Sequence, residues 1–218
     1  HIEVAELGLP RGLDAFCGEI PHAADLCDLW PIRGKAAHKN QSGNLLIIAG
    51  SRTMAGAGIL AAMGALASGV GLVTLAAPRG ALIRLGQLPP EVMLIESGDG
   101  DRLDPLPDAA LDRRTAVLAG PGLGGGFGDL PRHTAQWLRQ LWRESDLPLV
   151  YDADALTCIE SCNTGVRAIT PHPGEAGRIL GCSAADVQRD RFAAAHKLAD
   201  LRCTALLKGP HTLVAHPG

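Results

Sequence analysis

Short, continuous runs of apolar residues recur along most of the chain, and several end in glycine. Runs of this kind are typical of parallel strands that are covered on both faces. They predict strands at 45–50, 71–78, 92–96, 115–120, 147–154, 166–170, 204–209 and 212–216. Apolar positions at helical spacing, or small-residue stretches, predict helices at 55–69, 129–143, 173–181 and 184–201;. This alternation indicates an α/β protein whose mostly parallel, doubly wound sheet is flanked by helices, with a β-hairpin formed by the last two strands.

The first 37 residues do not continue this pattern. They are rich in proline and glycine, and the regular feature that they predict is a short strand at 2–7;. We therefore expect an arm or linker over residues 1–34 and an α/β domain over 35–218. Because the chain begins with His1 rather than methionine, we also expect it to come from a longer polypeptide.

The composition argues against some classes of partner. A net charge of −3, evenly spread, does not favour nucleic acid or an anionic membrane, and an aromatic content of 3% weakens base stacking further;. No apolar run is long enough to span a bilayer, and the N-terminus lacks the apolar core of a secretory signal. The six cysteines include no C-x-x-C pair, so we expect buried thiols in a reducing compartment;.

Polar and glycine residues collect after the predicted strands, while the strand bodies carry almost no charge. In a doubly wound sheet, ligands bind beyond the carboxyl ends of the strands. The sequence therefore predicts an active site at this edge of the sheet. The segments that would meet there are Gly50-Ser51-Arg52, 120–126, Asp152-Ala153-Asp154, 171–175 and Lys208-Gly209.

The glycine-rich segment and the Asp152-Ala153-Asp154 segment each have more than one interpretation. The glycine-rich stretch 119–126 could hold an anion or admit a flat ligand, or it could be a structural turn. It fits a dinucleotide fingerprint by letter, but no acidic residue follows at the usual distance, so that interpretation is weak. Asp152 or Asp154 could hold Mg²⁺ through water or orient a polar ligand. A helix N-cap is an equally good explanation of an aspartate at this place.

The sequence ITPHPGE places His172 between two prolines, which hold it extended and favour a ligand-contacting ring;. Glu175 falls in the first turn of the next helix, where a carboxylate suits the helix dipole. Lys208 could meet a nucleotide phosphate or ribose together with Thr212, or it could be a solvated hairpin lysine. At the start of the first predicted helix, Ala57 would let a flat ligand approach, although packing against the sheet explains most of that helix.

Five motifs, taken in order, resemble those of the ADP-dependent NAD(P)H-hydrate dehydratases, whose ribokinase-like fold is a three-layer sandwich. They are HKNQSGNLLIIAGS with MAGAGILAAMGALASGVGLVTLAAP (38–78), AGPGLG (119–124), VYDADAL (150–156), ITPHPGE (169–175) and LKGPHTLV (207–214). The resemblance covers about residues 35–218. VAELGLP at 4–10 is similar to the last strand of the epimerase domain that precedes the dehydratase in bifunctional members. Residues 1–34 would then be the tail of that domain and a linker.

The resemblance implies a repair reaction. The substrate would be the S-form of hydrated NADH or NADPH, whose ring hydroxyl is phosphorylated from ADP or ATP with Mg²⁺ before phosphate is expelled. Ala57, Gly124 and His172 would contact this substrate, and Glu175 would lie near Mg²⁺ and phosphate. The adenine nucleotide would lie against Lys208, Gly209, Pro210, His211 and Thr212. A cytoplasmic homotetramer, with epimerase activity in the parent protein, is also implied.

The sequence departs from the family pattern in two places. Asn40 stands where the family usually has glycine. The family's glycine-threonine-glycine-aspartate motif would lie beyond Gly218, and it would supply the catalytic base and an anion hole. We therefore expect the 218-residue chain alone to be inactive and the parent protein to be active.

Two other functions stay open. One is a small-molecule kinase of the same fold that acts on a hydroxymethyl vitamin precursor. Kinases of this fold more often carry asparagine where His172 stands, which disfavours this alternative. The other is a nucleotide-binding module without catalysis.

Overall fold

The computed structural model describes residues 24, 42–84, 86, 88–98, 100–124 and 129–218. The chain separates into two units, His1–Gly34 and Lys35–Gly218. The sheet and the helices that flank it lie in the second unit. The strand predicted at 2–7 lies outside the described residues.

The described strands form one eight-stranded sheet in the order β3-β2-β1-β4-β5-β6-β7-β8. The strands are β1 (Asn44–Ile48), β2 (Leu72–Ala77), β3 (Met93–Glu96), β4 (Ala116–Ala119), β5 (Leu149–Tyr151), β6 (Arg167–Ile169), β7 (Thr204–Leu207) and β8 (Leu213–Ala215). Neighbouring strands are parallel, except that β7 and β8 are antiparallel. The predicted mostly parallel sheet with a terminal hairpin is therefore confirmed.

The helices that flank the sheet are α1 (Ala55–Ala67), α2 (Arg79–Leu82), α3 (Arg132–Glu144), α4 (Pro173–Leu180), α5 (Ala184–Arg189) and α6 (Arg191–Ala199), with short 3₁₀ helices at Asp108–Ala110 and Ala153–Cys158. The single helix predicted over 184–201 is wrong. Asp190 leaves the helical region, with φ −143° and ψ 84°, and its carboxylate accepts a hydrogen bond from the amide of Ala193. It therefore caps a second helix. None of the described helices combines the length and the hydropathy that crossing a membrane requires.

Successive residues of β1 face two separate apolar cores. Leu46 and Ile48 belong to the larger core and Ile47 to the smaller one, and all three are fully buried. This alternation follows from the two-residue period of a strand. Helix α1 contributes to the smaller core, and α3 to α6 contribute to the larger one. The sheet is therefore the middle layer of the predicted three-layer sandwich.

The buried Arg167 holds together the far end of the larger core, away from the strand ends that carry the site. Its guanidinium lies over the ring of Trp142, 5.7 Å from the ring centroid. It donates hydrogen bonds to the carbonyl oxygens of Trp142, Ser145, Leu147 and Val166. A buried cation is tolerated here because these backbone acceptors surround it.

The prediction of buried thiols holds for three cysteines and fails for one. Cys158, Cys162 and Cys203 are buried and free, whereas Cys182 is exposed. Burial raises the pKa of the Cys203 thiol to about 12, so this sulfur is an inert packing group;. Cys17 and Cys27 lie outside the described residues.

The strand order reverses between β1 and β4. The chain runs outward from β1 to β3, then returns and continues on the other side of β1 from β4 to β8. The two loops that leave this point are tied together, because the amide of Gly50 donates to the carbonyl of Pro121 at 2.8 Å. Such a reversal opens a crevice at the carboxyl ends of the strands, which is where ligands bind in this class of sheet.

Candidate functional site

Lys208 joins the ends of three neighbouring strands. Its ammonium lies 2.7 Å from Asp152 Oδ1, after β5, and 3.8 Å from Glu175 Oε2, in the helix that follows β6. Its backbone amide donates to the carbonyl of Pro171 at 2.9 Å. Lys208 is therefore a paired cation shared by two carboxylates. This geometry does not fit the alternative of a freely solvated hairpin lysine.

His172 caps α4 with its imidazole ring. Nδ1 accepts hydrogen bonds from the amides of Gly174, at 3.0 Å, and Glu175, at 3.4 Å, while Glu175 Oε2 accepts from the His172 amide at 2.8 Å. This is a reciprocal capping box with proline at the first helical position;. The extended backbone predicted for His172 is confirmed, with φ −80° and ψ 167°.

The cap fixes which ring nitrogen of His172 carries the proton. Because Nδ1 accepts two N–H groups, a neutral ring must hold its proton on Nε2. Nε2 lies 3.5 Å from Glu175 Oε1, and the side chain is about half exposed. His172 therefore presents one N–H donor to the site, next to a carboxylate that is largely buried.

The two aspartates of the DAD sequence have different surroundings. Asp152 occupies the N-cap position of the 3₁₀ helix, but its side chain makes no capping hydrogen bond and pairs with Lys208 instead. Asp154 is buried and accepts a hydrogen bond from the amide of Gly124 at 3.0 Å. Burial raises the pKa of Asp154, and the hydrogen bond from Gly124 opposes this effect. Asp152 thus faces the site, while Asp154 anchors the glycine-rich loop.

The glycine-rich loop packs closely against α1 and against the loop after β1. A Cβ atom on Gly122 would lie 2.6 Å from Cβ of Ala57, and one on Gly124 would lie 2.9 Å from Ser51 Oγ. Both glycines have positive φ, so the loop needs glycine for its conformation and for its contacts;. The structural-turn interpretation accounts for these two positions. The amide of Gly124 already bonds Asp154, so it is engaged within the protein.

An apolar groove of about 390 Å³ runs between α1 and the ends of the central strands. It brings Ala57 and Asp152, which are far apart in the sequence, to one surface. Leu60, Ala61, Leu118, Pro121, Val150 and Thr170 complete its lining. An apolar wall with a single carboxylate suits a flat ring that carries a few polar substituents.

The segment 208–212 forms the turn of the β7–β8 hairpin. Thr212 Oγ1 donates to the carbonyl of Gly209 at 3.4 Å. Arg191 braces the turn, since it donates to the carbonyls of Leu207 and Pro210. Sequence reasoning missed Arg191, because only the fold places the start of α6 beside this hairpin.

Two carboxylates at the strand ends could bind Mg²⁺, but the described residues do not form a complete set of metal ligands. In the described part of the chain, no three His, Cys, Asp or Glu side chains form a ready-made metal cluster. Asp152 and Glu175 nevertheless converge on one cation, the ammonium of Lys208. Mg²⁺ is commonly held by one or two carboxylates together with substrate phosphates. The donor set therefore fits an ion that arrives with a nucleotide.

The chain is similar in sequence to proteins of named activity. The family model described as NAD(P)H-hydrate dehydratase matches residues 45–218. The bifunctional NAD(P)H-hydrate repair enzyme Nnr of Moorella thermoacetica is 37% identical, covering 100% of this chain and 43% of its own length. The corresponding enzyme of Coxiella burnetii is 39% identical over 85% of this chain and 37% of its own length. The chain thus spans about two fifths of the length of these curated relatives.

Solved structures agree with this relationship. The ADP/ATP-dependent NAD(P)H-hydrate dehydratase of Bacillus subtilis, co-crystallised with ATP and Mg²⁺, superposes with a TM-score of 0.71 at 29% identity, covering 86% of this chain and 65% of that one. A ribokinase-like superfamily protein of Enterococcus faecalis superposes with a TM-score of 0.68 at 24% identity, over 86% of this chain and 64% of its own, which identifies the fold as ribokinase-like. By sequence and by fold, the chain belongs to the NAD(P)H-hydrate dehydratase family.

Proposed function

We propose that the protein containing this chain converts the S-form of hydrated NADH or NADPH back to the reduced cofactor in an ADP-dependent dehydration. The observation that carries the proposal is the convergence of His172, Glu175, Asp152 and Lys208 at one sheet edge, beside the groove that contains Ala57. Family membership supports it. Because the Moorella relative is bifunctional by name, we extend the proposal to epimerase activity in the parent protein.

The first step makes a good leaving group from a poor one. The ring hydroxyl of the substrate gives up its proton to a base and attacks the β-phosphorus of ADP, forming an O–P bond while the bond to the bridging oxygen breaks and AMP leaves. Lys208 would bind the phosphates, and the turn formed by 209–212 would hold the rest of the nucleotide. When bound through Asp152 and Glu175, Mg²⁺ would neutralise charge that develops on the phosphate oxygens.

The second step expels the phosphate. The C–O bond breaks and its electron pair leaves on the phosphate, the neighbouring ring carbon loses a proton to solvent, and the electrons of that C–H bond restore the ring double bond. In this step the chain positions the ring. The Nε2–H group of His172 would donate to an oxygen of the substrate, and the groove beside Ala57 would contact the flat face of the ring.

Two assays on the full-length protein separate this function from its alternatives. ADP with hydrated NADH should give the reduced cofactor, whereas ATP with a hydroxymethyl heterocycle should give no phosphorylated product. The reverse result would replace the dehydratase with a small-molecule kinase. Tight ADP binding without either turnover would indicate a nucleotide-binding module.

We also propose that the parent protein is a cytoplasmic homotetramer that binds neither nucleic acid nor membranes. The small net charge of −3 and the low aromatic content support the last part of this proposal;. Light scattering of the full-length protein, and a nucleic-acid binding titration at low salt, would test it.

A further inference from the structure

Ser51 has a buried hydroxyl that the fold leaves without a partner. The residue follows β1 at the point where the strand order reverses, and it is 3% exposed. Within the described residues, its Oγ atom has no hydrogen-bond partner. Leaving a buried hydroxyl unpaired destabilises the folded state. A group that persists at such a cost is a candidate for pairing with a ligand.

Ser51 lines a pocket of about 170 Å³, with Arg52, Thr53, Asp101, Arg102 and Gly124. The close contact of Gly124 with Ser51 belongs to this pocket, because a side chain at Gly124 would meet Ser51 Oγ and Cβ at 2.9 and 3.0 Å. Glycine at 124 therefore keeps the space beside the hydroxyl open.

Arginines surround this pocket and the one next to it. The neighbouring pocket, of about 460 Å³, is lined by Arg52, Arg79, Gly80, Ile83, Arg84 and Asp101. Two of the arginines have aspartate partners: Arg52 Nε lies 2.7 Å from Asp101, and Arg102 lies 3.1 Å from Asp129. Counting Asp129, four arginines face two aspartates across the two pockets, in a chain whose net charge is −3. The excess positive charge therefore lies at Arg79 and Arg84 in the neighbouring pocket, because Arg52 and Arg102 beside Ser51 are paired with aspartates.

The loops that carry these residues are braced by backbone hydrogen bonds. Arg52 N donates to Asp101 O at 3.2 Å, Arg79 N to Gly98 O at 3.2 Å, and Gly80 N to Gly100 O at 3.0 Å. Three loops, after β1, β2 and β3, are thus held as one frame. A preorganised frame loses less entropy when it binds a ligand.

We propose that Ser51, Arg52 and Arg102 form a subsite for a phosphate oxyanion of the dinucleotide substrate; this inference rests on the proposed function. Phosphate oxygens accept hydrogen bonds from guanidinium and hydroxyl groups. Residues 208–212, which we call the nucleotide turn because the adenine nucleotide is proposed to bind there, lie at the end of β7. This turn is four strand spacings from β1, or about 19 Å. The apolar groove lies between them. The subsite is therefore separate from Lys208 and lies on the opposite side of the groove.

The test is calorimetric titration of inorganic pyrophosphate into the 218-residue chain. Ser51→Ala should weaken binding about tenfold or more, since a hydrogen bond to a charged group is lost. Its melting temperature should stay equal or rise, because the substitution removes an unpaired buried hydroxyl. Arg102→Gln should weaken binding as well. Arg189→Gln, an exposed arginine on α5, is the matched control and should bind like the wild type.

Lys208→Met shows which site the pyrophosphate occupies. Binding that survives in Lys208→Met but is lost in Ser51→Ala supports the subsite. Binding that is lost in Lys208→Met and unchanged in Ser51→Ala overturns it, because the anion then occupies the nucleotide turn. If Arg102→Gln and Arg189→Gln weaken pyrophosphate binding equally, the subsite is also overturned, because binding would then depend only on the net charge of the protein.

Titrations with NADH and NADPH identify the phosphate. If it is the 2′-phosphate, wild type prefers NADPH and Ser51→Ala abolishes the preference. If it is the diphosphate, Ser51→Ala weakens both dinucleotides equally. Turnover of hydrated NADPH by the full-length protein separates the two proposals. Unchanged KM in Ser51→Ala contradicts the subsite alone, and absence of any ADP-dependent turnover in the wild type contradicts the proposed function alone.

Discussion

Lys208 and Asp152, 56 residues apart in the sequence, form an ion pair of 2.7 Å across the ends of β7 and β5. Glu175 approaches the same ammonium from α4, at 3.8 Å. A lysine that is expected to bind phosphate is thus held by two carboxylates that are expected to bind Mg²⁺. Nucleotide and metal would enter this site together, each taking over one partner of the existing pair.

Substituting Asp152→Asn should separate the competition of Asp152 for Lys208 from its binding of Mg²⁺. Without Mg²⁺, ADP should bind the variant more tightly than the wild type, because the carboxylate that competes for Lys208 is gone. With Mg²⁺, the gain in affinity that the metal gives should be smaller, because one carboxylate donor is lost. Calorimetry of ADP binding with and without Mg²⁺ measures both. An unaltered dependence on Mg²⁺ would contradict the metal assignment of Asp152.

Two substitutions of His172 should distinguish its role as the helix cap, through Nδ1, from its proposed role as a hydrogen-bond donor to the substrate, through Nε2–H. His172→Ala removes the capping acceptor and should lower the free energy of unfolding by about 1 kcal/mol. His172→Asn offers a side-chain oxygen to the amides of Gly174 and Glu175, so stability should largely return. Urea denaturation measures both variants.

In His172→Asn, stability should return but substrate affinity should not. Neither alanine nor asparagine provides the Nε2–H donor in its present position, so KM for hydrated NADH should rise in both variants of the full-length protein. If His172→Asn restores stability and affinity together, the ring acts only as a cap. If His172→Ala leaves affinity unchanged, the assignment of His172 to the substrate is wrong.

Much of the site could be predicted from the sequence because strand ends of a parallel sheet meet at one edge. The apolar runs marked the strands, and the polar residues after them included Asp152, His172, Glu175 and Lys208. The sequence could not predict that Asp152 pairs with Lys208 whereas Asp154 is buried and bonded to the amide of Gly124. Burial of Asp154 depends on the path of the glycine-rich loop, and that path is set by tertiary contacts.

Other features depend on neighbours that are distant in the sequence. Arg191 reaches the β7–β8 turn only because α6 packs beside it. The capping role of His172 was not predicted from the sequence, because serine, threonine, aspartate and asparagine are the usual helix caps. The signal that could have found it is the glutamate three residues later, which completes the capping-box spacing. The helix break at Asp190 likewise had an available signal, an aspartate three residues before the amide it caps.

Asp154 should make stability depend on pH in a defined direction. Burial raises the pKa of Asp154 in the folded state above its ordinary value of about 3.9;. The folded state therefore binds this proton more tightly than the unfolded state. The stability from this preference is fully present below the unfolded-state pKa and is lost as the pH rises through the folded-state pKa.

Asp154→Asn should remove this dependence while keeping an oxygen for the amide of Gly124. The difference in the free energy of unfolding, variant minus wild type, should therefore increase from pH 4 to pH 7. Urea denaturation at both pH values measures it. A difference that stays constant or decreases would show that Asp154 is not the group responsible.

Arg167 should contribute strongly to stability outside the site. The single ammonium of Arg167→Lys cannot reach the carbonyls of Trp142, Ser145 and Leu147 at once, so buried acceptors lose their donors. We expect a loss of about 2 kcal/mol or more in the free energy of unfolding. Arg189→Gln, on an exposed pair, should change it by less than about 1 kcal/mol. Equal small effects in both variants would contradict the role given to Arg167.

We propose that ADP-dependent dehydration takes place at the strand ends joined by Lys208. The most direct measurement follows the near-ultraviolet absorbance of reduced nicotinamide as the full-length protein acts on hydrated NADH with ADP and Mg²⁺. The wild type and Arg189→Gln should restore the absorbance only when ADP is present, and Lys208→Met should raise KM for ADP about tenfold or more. No ADP-dependent recovery in the wild type, or an unchanged KM in Lys208→Met, would contradict the claim.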